Sequence, residues 1–208
     1  MTIKFKKNHP FNPYDIKIKE QFYTISNNIE SRLTKEDSIL LMVTSLDQTQ
    51  DIVNATAYLA LTFSEQHKRV LIVDANFREP SLHTLYNMDH SFGLSTLLLG
   101  EQHKQRDPIQ ITDYLFCLPT GEIHFEPATL LTLKTFPNQI EVWKQHFDII
   151  LFHTSNSLNK PDAQIVAKYC DGIVLTIKEG QDKLEKIVNV KEQFERAKHE
   201  ITGTMIIS

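Results

Sequence analysis

Glycine is scarce in this chain, six among 208 residues, and the stretch 44–60, TSLDQTQDIVNATAYLA, holds none and no lysine either. That excludes a glycine-rich loop there, whose backbone N–H groups would curl around an anion. Cysteine is nearly absent. Cys117 and Cys170 lie far apart with no CxxC, which excludes a disulfide framework and predicts two buried free thiols in a reducing compartment. No apolar run approaches the roughly 18–20 residues needed to cross a bilayer. Nor does the start, where Met1–Lys7 leads into Asn8-His9-Pro10-Phe11-Asn12-Pro13, resemble a secretory signal. A cytoplasmic location is therefore expected. A basic excess is also missing: the net charge is −4 and the pI about 6.1, so no nucleic-acid surface is expected. Lys4, Lys6 and Lys7 read as a solvated terminus. Nine histidines include no HxxxH or HExxH spacing, so no metal site is expected.

What is present is a regular alternation of strand and helix patterns. Strands are predicted at Ile39–Thr44, Val70–Ala75, Tyr114–Leu118, Phe147–Phe152, Gly172–Ile177 and Ile201–Ile207. Several are near-continuous apolar runs, as in parallel strands buried on both faces. Helices are predicted at Asp15–Arg32, Asp51–Gln66, Pro127–Leu133, Asn138–His146, Pro161–Tyr169 and Gln181–Lys198. The alternation predicts an α/β fold, a mostly parallel sheet with helices on both faces, in a single domain spanning 15–208. Residues 1–14 are expected to form an N-terminal arm, and Gly100–Thr112 a polar surface loop. With 41% hydrophobic residues the core is ample.

The glycine-free stretch occupies a telling place. It follows the strand pattern Ser38–Val43 and runs into the helix pattern of Val53, Ala57, Leu59, Ala60 and Leu61. Strand–loop–helix is the setting of a phosphate-binding loop. The setting is there and its chemistry is not.

Several strings resemble one family. VLIVDANFREPSLHTLYNMDHSFGLSTLLLGE is similar to the DxDxRxP, SLH and GLS…LLG run of the bacterial tyrosine kinases of capsule and exopolysaccharide synthesis (CpsD/CapB type). EQFYTISNNIE resembles the family's N-terminal helix. FDIILFHTSNS and PDAQIVAKYCDGIVLTIKEG resemble its later strands. The likeness spans about residues 13–207. It implies a P-loop NTPase-like fold, use of ATP and magnesium, and rings formed with a transmembrane activator.

The family's functional residues carry over only where positions match. The resemblance places the P-loop glycines at Thr49 and Asp51, the lysine at Ile52 and the magnesium-binding hydroxyl at Val53. Asp51 would aim a carboxylate at a phosphate, and Ile52 and Val53 offer neither charge nor oxygen. Such a lost charge contact costs roughly 2–4 kcal/mol. In DxDxR, Asp74 and Arg78 remain, expected as a pair shaping the loop, while Asn76 replaces the second acid and cannot take up a proton near neutrality. The family's distal magnesium aspartate, from a string like FDxxIIDTPP, falls at His153, a poor magnesium ligand expected to be hydrogen-bonded in a polar cleft. The ring motif ExxRxxR becomes Glu20, Tyr23 and Ser26, without either arginine fork. No tyrosine cluster follows Gly203.

These departures predict a pseudokinase with no catalytic residues and no cofactor, ATP and magnesium belonging to the family rather than to this chain. It would act as a binding or regulatory module on a membrane polysaccharide co-polymerase/activator or an active kinase paralogue. That partner would recruit it to the membrane; no ring is expected, and a smaller oligomer stays open. The alternative is an active ATP-dependent tyrosine kinase or ATPase with a remodelled site, using Lys160 or Arg78. A partition-type ATPase is a third reading, since fold alone does not set function.

Overall fold

The computed structural model describes residues 11–33, 37–46, 50–100, 107–154 and 161–207. In chain order these form α1 (Ile16–Arg32), β1 (Ile39–Ser45), α2 (Gln50–Glu65), β2 (Val70–Asp74), α3 (Leu82–Leu85), α4 (Leu94–Leu99), β3 (Ile109–Gln110) and β4 (Leu115–Leu118). They continue with α5 (Pro127–Leu131), α6 (Thr135–Lys144), β5 (Ile149–His153), α7 (Pro161–Ala167), β6 (Gly172–Lys178), α8 (Leu184–Arg196) and β7 (Ile201–Ile207). The strands join in one seven-stranded sheet of order β3-β4-β2-β5-β1-β6-β7. Every pairing is parallel except that of β3 with β4.

Alternation along each strand sorts the core into two layers. On one face, Leu41 and Val43 of β1, Val70 and Ile72 of β2 and Leu151 of β5 meet Phe22, Ile25 and Ile29 of α1 and Tyr58 and Phe63 of α2. On the other, Leu40, Met42, Leu71, Val73 and Phe152 meet Phe136, Ile140 and Trp143 of α6, Val166 of α7 and Phe194 of α8. Central strands buried on both sides need apolar residues at every position, hence their continuous runs.

Local chemistry sets several element ends. The Asp15 carboxylate accepts from Ile18 N–H and caps α1. Gly100 closes α4 in the left-handed conformation, φ 71°. At Gly93 the reason for glycine is space: a Cβ there would lie 2.2 Å from the Gly121 nitrogen.

The structure corrects some expectations. The polar stretch Gly100–Thr112 contains the short antiparallel edge strand β3, which satisfies the open side of β4. Cys117 is buried as expected, but Cys170 is only half-buried. The short helices α3 and α4 had no periodic signal, being too brief to show one. Phe11 tilts against Tyr58 with centroids 4.9 Å apart, and Asn12 N–H donates to the Tyr58 hydroxyl. The end of the N-terminal stretch is thus pinned to α2. Among the described residues no helix is long and apolar enough to cross a membrane.

Candidate functional site

In open parallel sheets ligands bind beyond the carboxyl ends of the strands, and there the chain gathers its buried polar residues. Thr44 and Ser45 end β1, Asp74 ends β2, His153 ends β5 and Thr176 lies near the end of β6, all buried, with half-buried Lys178 the last residue of β6. Register brings them together: His153 pairs with both Val43 and Asp74, and Ser45 with Thr176. The first turn of α2 supplies Asp51.

Asp51 is wholly buried, and its Oδ2 lies 2.9 Å from Nζ of Lys178, which is 13% exposed. A carboxylate in the first turn of a helix also meets the positive end of the macrodipole. Ile52 and Val53 turn inward into the core. Thr49 lies outside the described residues, as does Lys160.

Asp74 is spent on backbone. Its Oδ1 accepts from Asn76 N–H at 3.1 Å, and its Oδ2 accepts from Ser81 and Leu82 N–H, both at 3.0 Å. The Asn76 amide donates to the Glu79 carbonyl at 2.8 Å and accepts from Glu79 N–H. Arg78 does not pair with Asp74, contrary to expectation. It reaches the other way, to buried Asp162 of α7 (2.9 Å) and to Glu126 (2.8 Å), the residue before α5. Those carboxylates raise the Arg78 pKa against the lowering effect of burial. Asp74 is consumed by the turn just after its own strand, which leaves the arginine to bridge two helices.

His153 is fully buried between Thr56 Oγ1, 3.1 Å from Nδ1, and Ser81 Oγ, 3.4 Å from Nε2. The Thr56 hydroxyl donates its one hydrogen to the Ile52 carbonyl, so it accepts from the ring. This assigns the proton to Nδ1 and turns the Nε2 lone pair toward Ser81. Burial pushes the His153 pKa down, and the Asp74 charge opposes it. The histidine is hydrogen-bonded as expected, but it is wholly buried. Among the described residues no group of three or more His, Cys, Asp and Glu is arranged to hold a metal ion.

Of the α1 residues, Ser26 is buried and Tyr23 half-buried. The Tyr23 hydroxyl donates to Glu65 at 2.9 Å, and buried Ser26 accepts from the Gln66 amide at 2.9 Å. Lys19 also pairs with Glu65. Glu20 is exposed. The helix therefore uses two of the three motif positions to bind the last residue of α2 and the residue after it. A cleft of about 810 Å³ opens at the opposite, amino end of the strands. Two of its lysines are paired internally, Lys68 with Glu30 and Lys144 with Glu141, and the Asp148 carboxylate accepts from the Arg69 backbone N–H. The polar constellation at the carboxyl end is the stronger candidate.

Lys178 was not singled out by sequence. The signal that finds it is strand order: β6 lies beside β1, and its last residue meets the first turn of α2.

No family model matches the chain. It is 30% identical over 189 residues to the tyrosine-protein kinase YwqD of Bacillus subtilis (strain 168), covering 90% of this chain and 79% of that protein. The chain belongs to the bacterial tyrosine-protein kinase family. It is 28% identical over 193 residues to the tyrosine-protein kinase CpsD of Streptococcus agalactiae, covering 91% and 83%. Against the tyrosine-protein kinase wzc of Salmonella typhi it is 24% identical over 199 residues, 95% of this chain but 27% of that protein. It thus spans about a quarter of that longer relative. Among solved structures, the chimerical protein CapA2B2 superposes with TM-score 0.89 at 23% identity, over 98% of this chain and 92% of that one. The kinase domain of Escherichia coli ETK gives 0.88 at 20%, over 98% and 82%. A ParA family ATPase from Chlorobium tepidum TLS gives 0.67 at 14%, over 83% and 74%. At these identities the likeness establishes the fold, the P-loop NTPase-like sheet expected for this family.

Proposed function

We propose that this tyrosine-kinase family member is a pseudokinase acting as a binding or regulatory module in capsular or exopolysaccharide synthesis. The observation that carries the reading is the Asp51–Lys178 ion pair, buried at the start of α2. Beside it, Asp74, Asn76, Arg78 and His153 each hold neighbouring structure. Groups so engaged are poorly placed to take a phosphate or magnesium, so neither ATP nor magnesium is expected as a cofactor. The partner would be a membrane polysaccharide co-polymerase/activator or an active kinase paralogue, which recruits the chain from the cytoplasm to the membrane. The test is thermal melting and calorimetry with MgATP and MgADP, beside binding to the cytoplasmic tail of a co-encoded membrane protein. No nucleotide effect with measurable tail binding supports the reading. A low-micromolar Kd for MgADP overturns it.

A second reading, an active kinase or ATPase with a remodelled site, draws on Lys178, a cation at the end of the strand beside β1. Incubation with labelled ATP, with Asp74→Ala as control, decides it. Phosphate transfer or hydrolysis lost in the variant would favour this reading.

A further inference from the structure

We propose that the outer edge of β7 is a self-association surface, where a second copy of this chain pairs its own β7 antiparallel about Met205. Among the described residues β7 pairs as a strand on one side only, with β6. It is seven residues long, against two for β3 at the other edge of the sheet. Neither a charge nor a proline interrupts its sequence, ITGTMII, and those are the residues that ordinarily keep a strand edge from pairing. In a strand the N–H and C=O of one residue point to one side and those of its neighbours to the other. The Ile207 carbonyl accepts from Glu179 N–H, just beyond β6, so Ile207, Met205 and Gly203 turn their backbone groups toward β6. Thr204 and Ile206 therefore present theirs to the open side. Before them the Thr202 carbonyl is already taken, by the Arg32 guanidinium at 3.0 Å.

A second copy fits this edge because the edge is self-complementary. With Met205 on the two-fold axis, Thr204 of each copy stands opposite Ile206 of the other, and the two exchange both N–H to C=O bonds. The ladder stops where Arg32 caps Thr202. Gly203 then stands opposite Ile207, and nothing lies within 4 Å of where a Gly203 Cβ would be, so the approach is clear. On the α1 side the edge borders an open groove of about 320 Å³, lined by Ile25, Asn28, Ile29 and Arg32 beside Ile201–Thr204. The charges complement as well. Arg32 stands at the amino end of β7 and exposed Glu179 at its carboxyl end. Antiparallel pairing sets each of these ends beside the opposite end of the other copy, with no charged side chain on the strand between them. Such an isologous contact closes at two copies. It does not depend on whether nucleotide binds.

Sedimentation equilibrium of the whole chain, from about 1 to about 100 μM, tests the pairing. Wild type is expected to form dimers within that range. Proline is tolerated on an edge strand where the replaced N–H faces outward, so Thr204→Pro removes an outward donor and leaves the ladder to β6 in place. That variant should dissociate at least about tenfold more readily, with its circular dichroism unchanged. A wild type that stays monomeric at every concentration overturns the proposal, as does a dimer indifferent to Thr204→Pro. An assembly of more than two copies overturns it too, because pairing about Met205 closes at two. Should Thr204→Pro fail to fold, amide hydrogen exchange of the wild type replaces it. Exchange at the Thr204 and Ile206 amides that slows as protein concentration rises supports pairing at β7. Exchange there that is independent of concentration overturns it.

Discussion

The Nδ1 atom of His153 lies 3.1 Å from the Thr56 hydroxyl, joining the end of β5 to the inner face of α2. Because that hydroxyl donates to the Ile52 carbonyl, it accepts from the ring, which places a proton on Nδ1. Burial lowers the folded pKa below the ordinary 6.5. The unfolded chain therefore binds a proton first as pH falls. The stability contributed by neutral His153 is fully present above about pH 6.5 and is lost as pH falls through the lowered folded value. His83 and His199 shift in the same direction. Urea denaturation at about pH 7.5 and about pH 5.5 should show lower stability at the acid value, with a smaller difference in His153→Gln. An unchanged difference in that variant would refute the assignment.

Removing one member of a buried ion pair leaves the other charge uncompensated. Lys178→Met is expected to cost about 3 kcal/mol in urea unfolding. Asp51→Leu/Lys178→Met should cost less than the single lysine change, since both charges then go. Additive losses in that cycle would show that Asp51 and Lys178 do not depend on one another.

Asp74 anchors three backbone N–H groups. Asp74→Ala should destabilise the fold by about 2–4 kcal/mol and speed hydrogen exchange at the Ser81 and Leu82 amides. Faster exchange confined to distant strands, with these two amides unchanged, would contradict that role.

Gly93→Ala would push a methyl group against the Gly121 nitrogen, 2.2 Å from the ideal Cβ, and against the Pro119 carbonyl at 2.3 Å. Both are backbone atoms and cannot swing aside. The variant should lose about 3 kcal/mol or fail to accumulate as folded protein, measured by melting temperature and soluble yield. A melting temperature equal to that of wild type would contradict the packing.

Much of the architecture was legible because the sheet is buried on both faces. Strands such as ILLMV and VLIV must then be apolar throughout, and their helices carry one apolar side. The two-residue β3 was not legible, since its pairing depends on the neighbouring β4 rather than on any pattern of its own. In the candidate site, the positions Asp51, Asn76 and His153 could be named from the strings around them, but their partners could not. Arg78 was expected to turn toward Asp74 and instead spans to Glu126 and Asp162, far away along the chain. Tyr23 and Ser26 gave no sign in sequence of facing Glu65 and Gln66.

The sequence by itself determined the alternating α/β order, the absence of glycine and lysine in 44–60, and the likeness to the tyrosine-kinase family. These are properties of local periodicity and residue identity. Only the tertiary structure decided what stands at the start of α2. Strand order places β6 against β1, and that adjacency carries Lys178 to Asp51. A buried carboxylate needs a countercharge, and the chain supplies it from a strand that no local pattern connects to that helix.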